Sequence, residues 1–241
     1  ESATSGIPVE LAIKGKTEQV VPLLHETIAG HEPNTDWLNS IEQIKTKWAI
    51  ENEQEGKATD YPLHPSRIVR GIEKSVAKNA ILTIDTGDVT VWMNRNFRQS
   101  NQNIFFSGYW RSMGFGLPAA IAAKMEKPEE QVVAIVGDGG LEMVLADLLT
   151  ATRYNLDITV IVFNNGSLQM ESDKIQAAGL KEIGTKLTNP DFVKIAEACG
   201  WKAFRVHDED KLESVIQSAI ASAGPSLVDI PTAQAFFPET E

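Results

Sequence analysis

The chain has 241 residues, and 22 Lys and Arg against 33 Asp and Glu give a net charge of −11. A hydrophobic fraction of 42% and a charged fraction of 23% describe a globular chain with a sizeable core and exclude a disordered one. The acidity argues against nucleic acid as a partner, since duplex binding rests on neutralised phosphates, and no apolar run approaches the roughly 20 residues that span a bilayer. The N-terminal ESATSG lacks the basic and apolar regions of a secretory signal, and the lone Cys199 allows no internal disulfide, so the expected setting is the cytoplasm.

The first 60 residues are the most acidic quarter, with 5 lysines against 11 Asp and Glu. They read as a strand over Ile7 to Ile13, a helix from Thr17 to about Ile28, a polar break, and a helix from Asp36 to about Glu55. In the second helix Trp37, Leu38, Ile41, Ile44 and Trp48 recur at helical spacing. Glu51, Glu53 and Glu55 read as a solvated charge run. One strand and two helices cannot close a core, so 1–60 is expected to be the tail of a preceding domain with a linker helix, and 61–241 a domain of its own.

From His64 onward short apolar strands alternate with amphipathic helices. The expected strands are Ile81–Asp85, Ile104–Phe106, Val132–Val136, Ile158–Phe163, Ala203–Val206 and Leu227–Ile230, and the expected helices are 65–78, 89–97, 113–125, 141–154, 190–199 and 209–222. Several strands are apolar on both faces, as in a parallel sheet covered on each side. The fold class is therefore α/β, a doubly wound parallel sheet with helices on both faces. Ligands of such sheets bind beyond the carboxyl ends of the strands.

Three strand ends carry candidate chemistry: Asp85-Thr86-Gly87-Asp88, Gly137-Asp138-Gly139-Gly140 and Asn164-Asn165-Gly166-Ser167. Glycines where a helix begins expose backbone N–H groups and the positive end of the macrodipole, which suits a phosphate. Asp138 would repel a bare phosphate, and a divalent cation between them removes the conflict. Magnesium asks for about six oxygens. Asp138, the Asn165 amide and a backbone carbonyl near Ser167 supply three if the two strands are neighbours; diphosphate oxygens and water supply the rest. Taken singly, Gly-Asp-Gly and Asn-Asn-Gly are also ordinary turn formers.

The run GDGGLEMVLADLLTATRYNLDITVIVFNN, with SMGFGLPAAIAAK and LTIDTGDVTVW upstream and TNPDFVKIAEACG and GPSLVDI downstream, resembles the thiamine diphosphate (ThDP)-dependent enzymes of the pyruvate oxidase and acetolactate synthase group. The resemblance covers essentially 61–233, and IPVELAIKGK is similar to the end of the family's middle domain, which in flavin-containing members binds FAD. It implies Asp138 and Asn165 as side-chain ligands of Mg2+, with Ser167 as a backbone-carbonyl ligand. Gly139, Gly140, Thr86, Gly87 and Asp88 would lie on the diphosphate, with Leu168 also on the cofactor. Arg111 and Ser112 would meet the pyrimidine, and Met113 would be the wedge that bends the cofactor. Gln169, Met170, Glu171 and Lys174 would line the substrate pocket. The implied chemistry is decarboxylation of a small 2-oxo acid, with the thiazolium as electron sink, in a homo-oligomer (dimer or tetramer) whose full-length subunit has room for FAD.

The resemblance also places the family's activating glutamate in an N-terminal domain that this sequence does not contain, so no catalytic residue is expected here and the chain is expected to be a fragment of a longer subunit. The pocket segment GSLQMESDKIQ departs from the oxidase and synthase pattern. Glu171 would repel an anionic keto acid unless Lys174 neutralised it, and a glutamate there is similar to the sulfoacetaldehyde acetyltransferase branch. A pyruvate oxidase-like enzyme is the leading reading. An acetolactate synthase-like or sulfoacetaldehyde acetyltransferase-like transferase is the alternative, and a non-catalytic ThDP-binding module is another. His25, His31, His64 and His207 lack metal-ligand spacing and read as solvated or capping residues. Tyr109 and Trp110 read equally as pocket wall or interface.

Overall fold

Residues 8–236 are described by the computed structural model, and the chain divides into two units between Trp48 and Ala49. Helix α1 (Thr17–Thr27) and most of α2 (Thr35–Glu55) belong to the first unit, where their apolar spacing puts them. The strand expected over Ile7 to Ile13 does not form: residues 8–13 are irregular, with Val9, Leu11 and Ile13 exposed, and Ile7 lies outside the described residues. An apolar alternation becomes a strand only when a neighbouring edge takes its N–H and C=O groups, and no described residue pairs with this one.

The second unit is built on β1 (Ile81–Ile84), β2 (Asn103–Phe106), β3 (Val132–Gly137), β4 (Ile158–Asn164), β5 (Lys202–Arg205) and β6 (Ser226–Pro231). They form one all-parallel sheet in the order β2-β1-β3-β4-β6-β5. Successive side chains on a strand point to opposite faces. Val133 and Ile135 of β3, with Ile161 and Phe163 of β4, pack under α3 (Pro65–Ser75), α4 (Asp88–Asn96) and α10 (Leu212–Ile220). Val132, Ala134 and Val136, with Val160 and Val162, pack under α5 (Gly116–Glu126), α7 (Asp147–Arg153) and α9 (Phe192–Ala198). Both faces are covered, which is why β3 and β4 read as continuous apolar runs.

Two elements differ from expectation. The helix expected over 141–154 is split into α6 (Asp138–Glu142) and α7, because the N–H groups of Val144, Asp147, Leu148 and Leu149 bond three residues back, as in Val144 to Leu141 and Asp147 to Val144. Residues 169–177, read only as pocket lining, form α8 (Gln169–Ala177).

The last turns of α2 are fastened within the second unit rather than solvated. Arg95 pairs with Glu55 at 2.8 Å and Glu51 at 3.4 Å, and Arg70 pairs with Glu53 at 3.1 Å. The Asn52 amide donates to the Arg95 carbonyl and accepts from Asn96. Burial pushes the Glu55 carboxyl up, but hydrogen bonds from Arg95, Asn96 and Ser66 outweigh it and leave its pKa below the usual range. His64 is the cap that the sequence allowed: its Nδ1 accepts the Ser66 N–H, starting α3, while its ring packs edge-on against Trp92. No helix among the described residues is long and apolar enough to cross a membrane.

Close packing beneath the strand ends fixes Gly116. A Cβ there would lie 2.6 Å from Val136 Cγ1 and 3.3 Å from Asp85 Cβ. Helix propensity favours alanine by about 1 kcal/mol, but overpacking a core strand costs about 1–3 kcal/mol, and the contact wins. Gly116→Ala is therefore expected to lower the urea midpoint of unfolding without changing its slope; a raised midpoint would contradict this packing.

Candidate cofactor-binding cleft

Three loops leave the carboxyl ends of β1, β3 and β4 and turn at once into α4, α6 and α8. Because β3 lies between β1 and β4, the loops are neighbours. Register pairs Gly137 with Phe163, which brings the start of α6 beside the Asn165-Gly166 turn. Asp138 Oδ2 accepts the N–H of Asn165 at 3.0 Å and of Gly166 at 2.6 Å, and Oδ1 accepts the N–H of Gly139 at 2.8 Å. The Asn189 amide donates to Oδ2 at 2.7 Å. Asp138 is 3% exposed, and this burial pushes its carboxyl above the ordinary range in spite of four donors.

The Asn165 Oδ1 accepts the Ser167 N–H at 2.9 Å. The Leu168 N–H donates to the Thr185 carbonyl at 2.7 Å and the Leu187 N–H to the Gly166 carbonyl at 2.9 Å, a short antiparallel clamp that sets Ser167 opposite Lys186. This ladder passes over the Ser167 carbonyl, which accepts no hydrogen bond from any described residue. The Asp138 carboxylate, the Asn165 amide and the Ser167 carbonyl thus gather at one place as oxygens available to a cation. Among the described residues no group of three or more His, Cys, Asp or Glu is placed to hold a metal. The set is all oxygen and incomplete alone, the kind a hard cation completes with phosphate and water.

Beside these oxygens opens a cleft of about 170 Å³. Thr86, Gly87, Asp88, Arg111, Met113, Asp138, Gly139, Gly140, Asn165, Ser167, Leu168, Gln169, Met170 and Glu171 all line it. Ser112 and Lys174 do not. The Ser112 N–H donates to Ser107 Oγ, and Lys174 turns to Glu171, 2.8 Å away. Tyr109 and Trp110 are exposed and do not line the cleft either. Arg111 has φ +47°, a left-handed conformation uncommon for a residue with a Cβ.

Glycines shape this wall in two ways. Gly87 has φ +142°, and a Cβ there would meet nothing within 4 Å, so its backbone borders open space. Gly140 allows a close approach instead, since a Cβ on it would lie 2.7 Å from Asp85 Oδ2. The Asp85 Oδ1 accepts the N–H of Thr86 at 2.7 Å and of Phe115 at 3.3 Å, which ties the β1 loop to the start of α5. Helices α4, α6 and α8 begin at Gly87, Gly137 and Leu168 without a side-chain cap. Their first-turn N–H groups and positive dipole ends favour an anion in the cleft.

The sequence reading did not assign Val89, Gly137 and Phe163, which also line the cleft, nor Asn189 and Asp85, which hold its walls. Their signal was position alone: Asp85 and Gly137 open two of the strand-end motifs without a role of their own, Val89 and Phe163 flank them, and Asn189 sits in the irregular run before α9.

The sequence profile described as "Thiamine pyrophosphate enzyme, C-terminal TPP binding domain" matches residues 85–230. The chain belongs to the thiamine pyrophosphate enzyme family. It is 38% identical over 195 residues to the putative thiamine pyrophosphate-containing protein YdaP of Bacillus subtilis, covering 80% of this chain and 34% of that one. It is 31% identical over 230 residues to pyruvate oxidase of Lactiplantibacillus plantarum, covering 91% and 37%. Acetolactate synthase of Bacillus subtilis is 32% identical over 196 residues, covering 81% and 33%. The chain spans about a third of the length of these curated relatives.

Asp88 gives the thiamine pyrophosphate domain a measurable pH signature. Burial, with the neighbouring carboxylates Asp173 and Asp138, pushes its carboxyl from 3.8 up to about 7. A raised folded pKa contributes stability that is complete below the unfolded value and is lost as pH rises through the folded one. The ligand-free chain is expected to lose stability between about pH 4 and pH 7, and Asp88→Asn to flatten that loss in urea unfolding. An identical slope in both proteins would remove Asp88 as the cause.

Proposed function

We propose that this chain holds thiamine diphosphate and Mg2+ for an enzyme that decarboxylates a small 2-oxo acid. The observation that carries the reading is the buried Asp138 carboxylate, met by the Asn165 and Gly166 N–H groups beside a cleft onto which three uncapped helices open. In this reading Asp138, the Asn165 amide and the Ser167 carbonyl hold the cation. The backbone at Thr86, Gly87, Asp88, Gly139 and Gly140 takes the diphosphate, and Leu168 packs on the cofactor. Arg111 and Met113, which line the cleft, orient the pyrimidine end. The bound cofactor supplies an electron sink for the loss of carbon dioxide. Gln169, Met170 and Glu171 face the substrate, and Lys174 neutralises Glu171 so that an anionic acid is not repelled.

A pyruvate oxidase-like activity is supported by the Lactiplantibacillus plantarum relative, and an acetolactate synthase-like one equally by the Bacillus subtilis relative of that name. Residues 1–60 are read as the end of the relatives' middle domain with its linker helix, and FAD as a cofactor of the full-length subunit in the oxidase reading. The whole protein is read as a homo-oligomer, and the single cysteine supports a cytoplasmic setting. In the oxidase reading pyruvate turnover needs an electron acceptor; in the synthase reading a second keto acid replaces it.

Calorimetric titration with thiamine diphosphate, with and without Mg2+, tests the site. Binding is expected to depend on Mg2+ and to weaken by roughly tenfold or more in Asp138→Ala, at least the loss typical of a metal ligand's supporting partner. Equal binding by Asp138→Ala and the parent chain would overturn the assignment.

A further inference from the structure

We propose that Asn189 is a positioning residue that aims Asp138 at the divalent cation, as the near end of a polar chain anchored at Arg205. The proposal rests on the Mg2+ reading above. Asn189 Nδ2 donates both of its hydrogens, to Asp138 Oδ2 and to Asn164 Oδ1, each at 2.7 Å. Asn164 Nδ2 donates in turn to Asp229 Oδ1 at 2.9 Å, and Asp229 Oδ2 accepts from Arg205 Nε at 2.9 Å. Arg205 also donates to Asp191 Oδ1 at 2.8 Å.

The order of donors and acceptors along this chain is forced. Ionised carboxylates only accept, so Asp138 requires the NH2 of Asn189 to face it, and Asp229 requires the NH2 of Asn164 to face it. The Asn164 oxygen is then left for the second Asn189 hydrogen. Turning either amide over would set oxygen against oxygen, so both are locked from opposite ends. Asp229 has a side chain only 1% exposed and is paired with Arg205, which makes the far end a fixed one.

The near end decides which Asp138 oxygen a cation meets. Oδ2 carries three donors, from Asn165, Gly166 and Asn189, whereas Oδ1 carries only the Gly139 N–H. With about two lone-pair directions per oxygen, Oδ1 is the free ligand. The same 185–191 segment holds the backbone ligand in place, since the Thr185 carbonyl and Leu187 N–H clamp Leu168 and Gly166 on either side of Ser167. One irregular stretch therefore orients two of the three cation ligands.

Mg2+ demands a near-ideal octahedron, whereas Ca2+ accepts irregular shells. Loss of a positioning residue should therefore cost Mg2+ more than Ca2+, whereas loss of a merely structural one would weaken both alike. The test is calorimetric titration of the full chain with Mg2+ and, separately, with Ca2+, each at saturating thiamine diphosphate, for the parent, Asn189→Ala and Asp138→Ala. Asn189→Ala is expected to bind Mg2+ roughly 10–100-fold more weakly, and Ca2+ by a clearly smaller factor. Unchanged affinities, or equal losses for both ions, would overturn the positioning role while Asp138→Ala still loses Mg2+. A parent chain that ignores Mg2+, or an Asp138→Ala variant that binds it as tightly, would overturn the underlying reading and the proposal with it. Asn189→Ser, too short to reach both oxygens, gives the same comparison if the alanine variant does not fold.

Discussion

An ionised carboxylate taken out of water costs several kcal/mol unless donors or a cation meet it, even after the surrounding protein relaxes. At the carboxyl ends of β1 and β3 this chain buries Asp85 and Asp138, which are 0% and 3% exposed, and holds Asp88 partly buried at the start of α4. Each is handled differently. Asp85 is placed against the N–H groups that start α5, where the helix dipole also favours it. Asp138 takes three backbone N–H groups and one amide. Asp88 loses solvent to burial and faces the Asp173 and Asp138 carboxylates, and both raise its pKa. A divalent cation and a diphosphate together would relieve this charge, the cation answering the carboxylates and the helix N-termini answering the phosphates.

The sheet exists in the form that makes this possible. Parallel strands bring successive loops to one edge, and the Gly137 and Phe163 register decides that the Asn165-Gly166 turn reaches the Asp138 carboxylate. Slipping β4 by one residue would flip its buried faces and remove the turn from Asp138 at the same time. Core packing and the Asn165 and Gly166 hydrogen bonds to Asp138 therefore depend on the same register. Gly140 is needed for the same reason, since any side chain there would strike the Asp85 carboxylate that anchors the neighbouring loop.

Much of this was legible in the sequence because it is local or periodic. The six strands, the alternating helices and the Gly-Asp-Gly and Asn-Asn ends are short-range patterns, and the 27-residue spacing from Asp138 to Asn165 fits one crossover between adjacent strands. What was not legible depends on partners distant in sequence. Val9, Leu11 and Ile13 have the alternation of a strand but no edge to join. Glu51, Glu53 and Glu55 look solvated until Arg95 and Arg70 arrive from other helices. The break between α6 and α7 occurs in a run of good helix formers, where a tightened turn rather than a breaker residue interrupts the helix. Asn189, 51 residues from Asp138, has no motif at all and is found only through its hydrogen bonds.

The central claim is that Asp138, Asn165 and Ser167 form one cation site beside the diphosphate wall. Crystals grown with thiamine diphosphate and Mn2+, measured at the manganese absorption edge, test it most directly. The account predicts one anomalous peak within bonding distance of Asp138 Oδ1, Asn165 Oδ1 and the Ser167 carbonyl oxygen, touching the diphosphate. Thiamine diphosphate bound in the cleft with no such peak, or a peak held by other side chains, would contradict it.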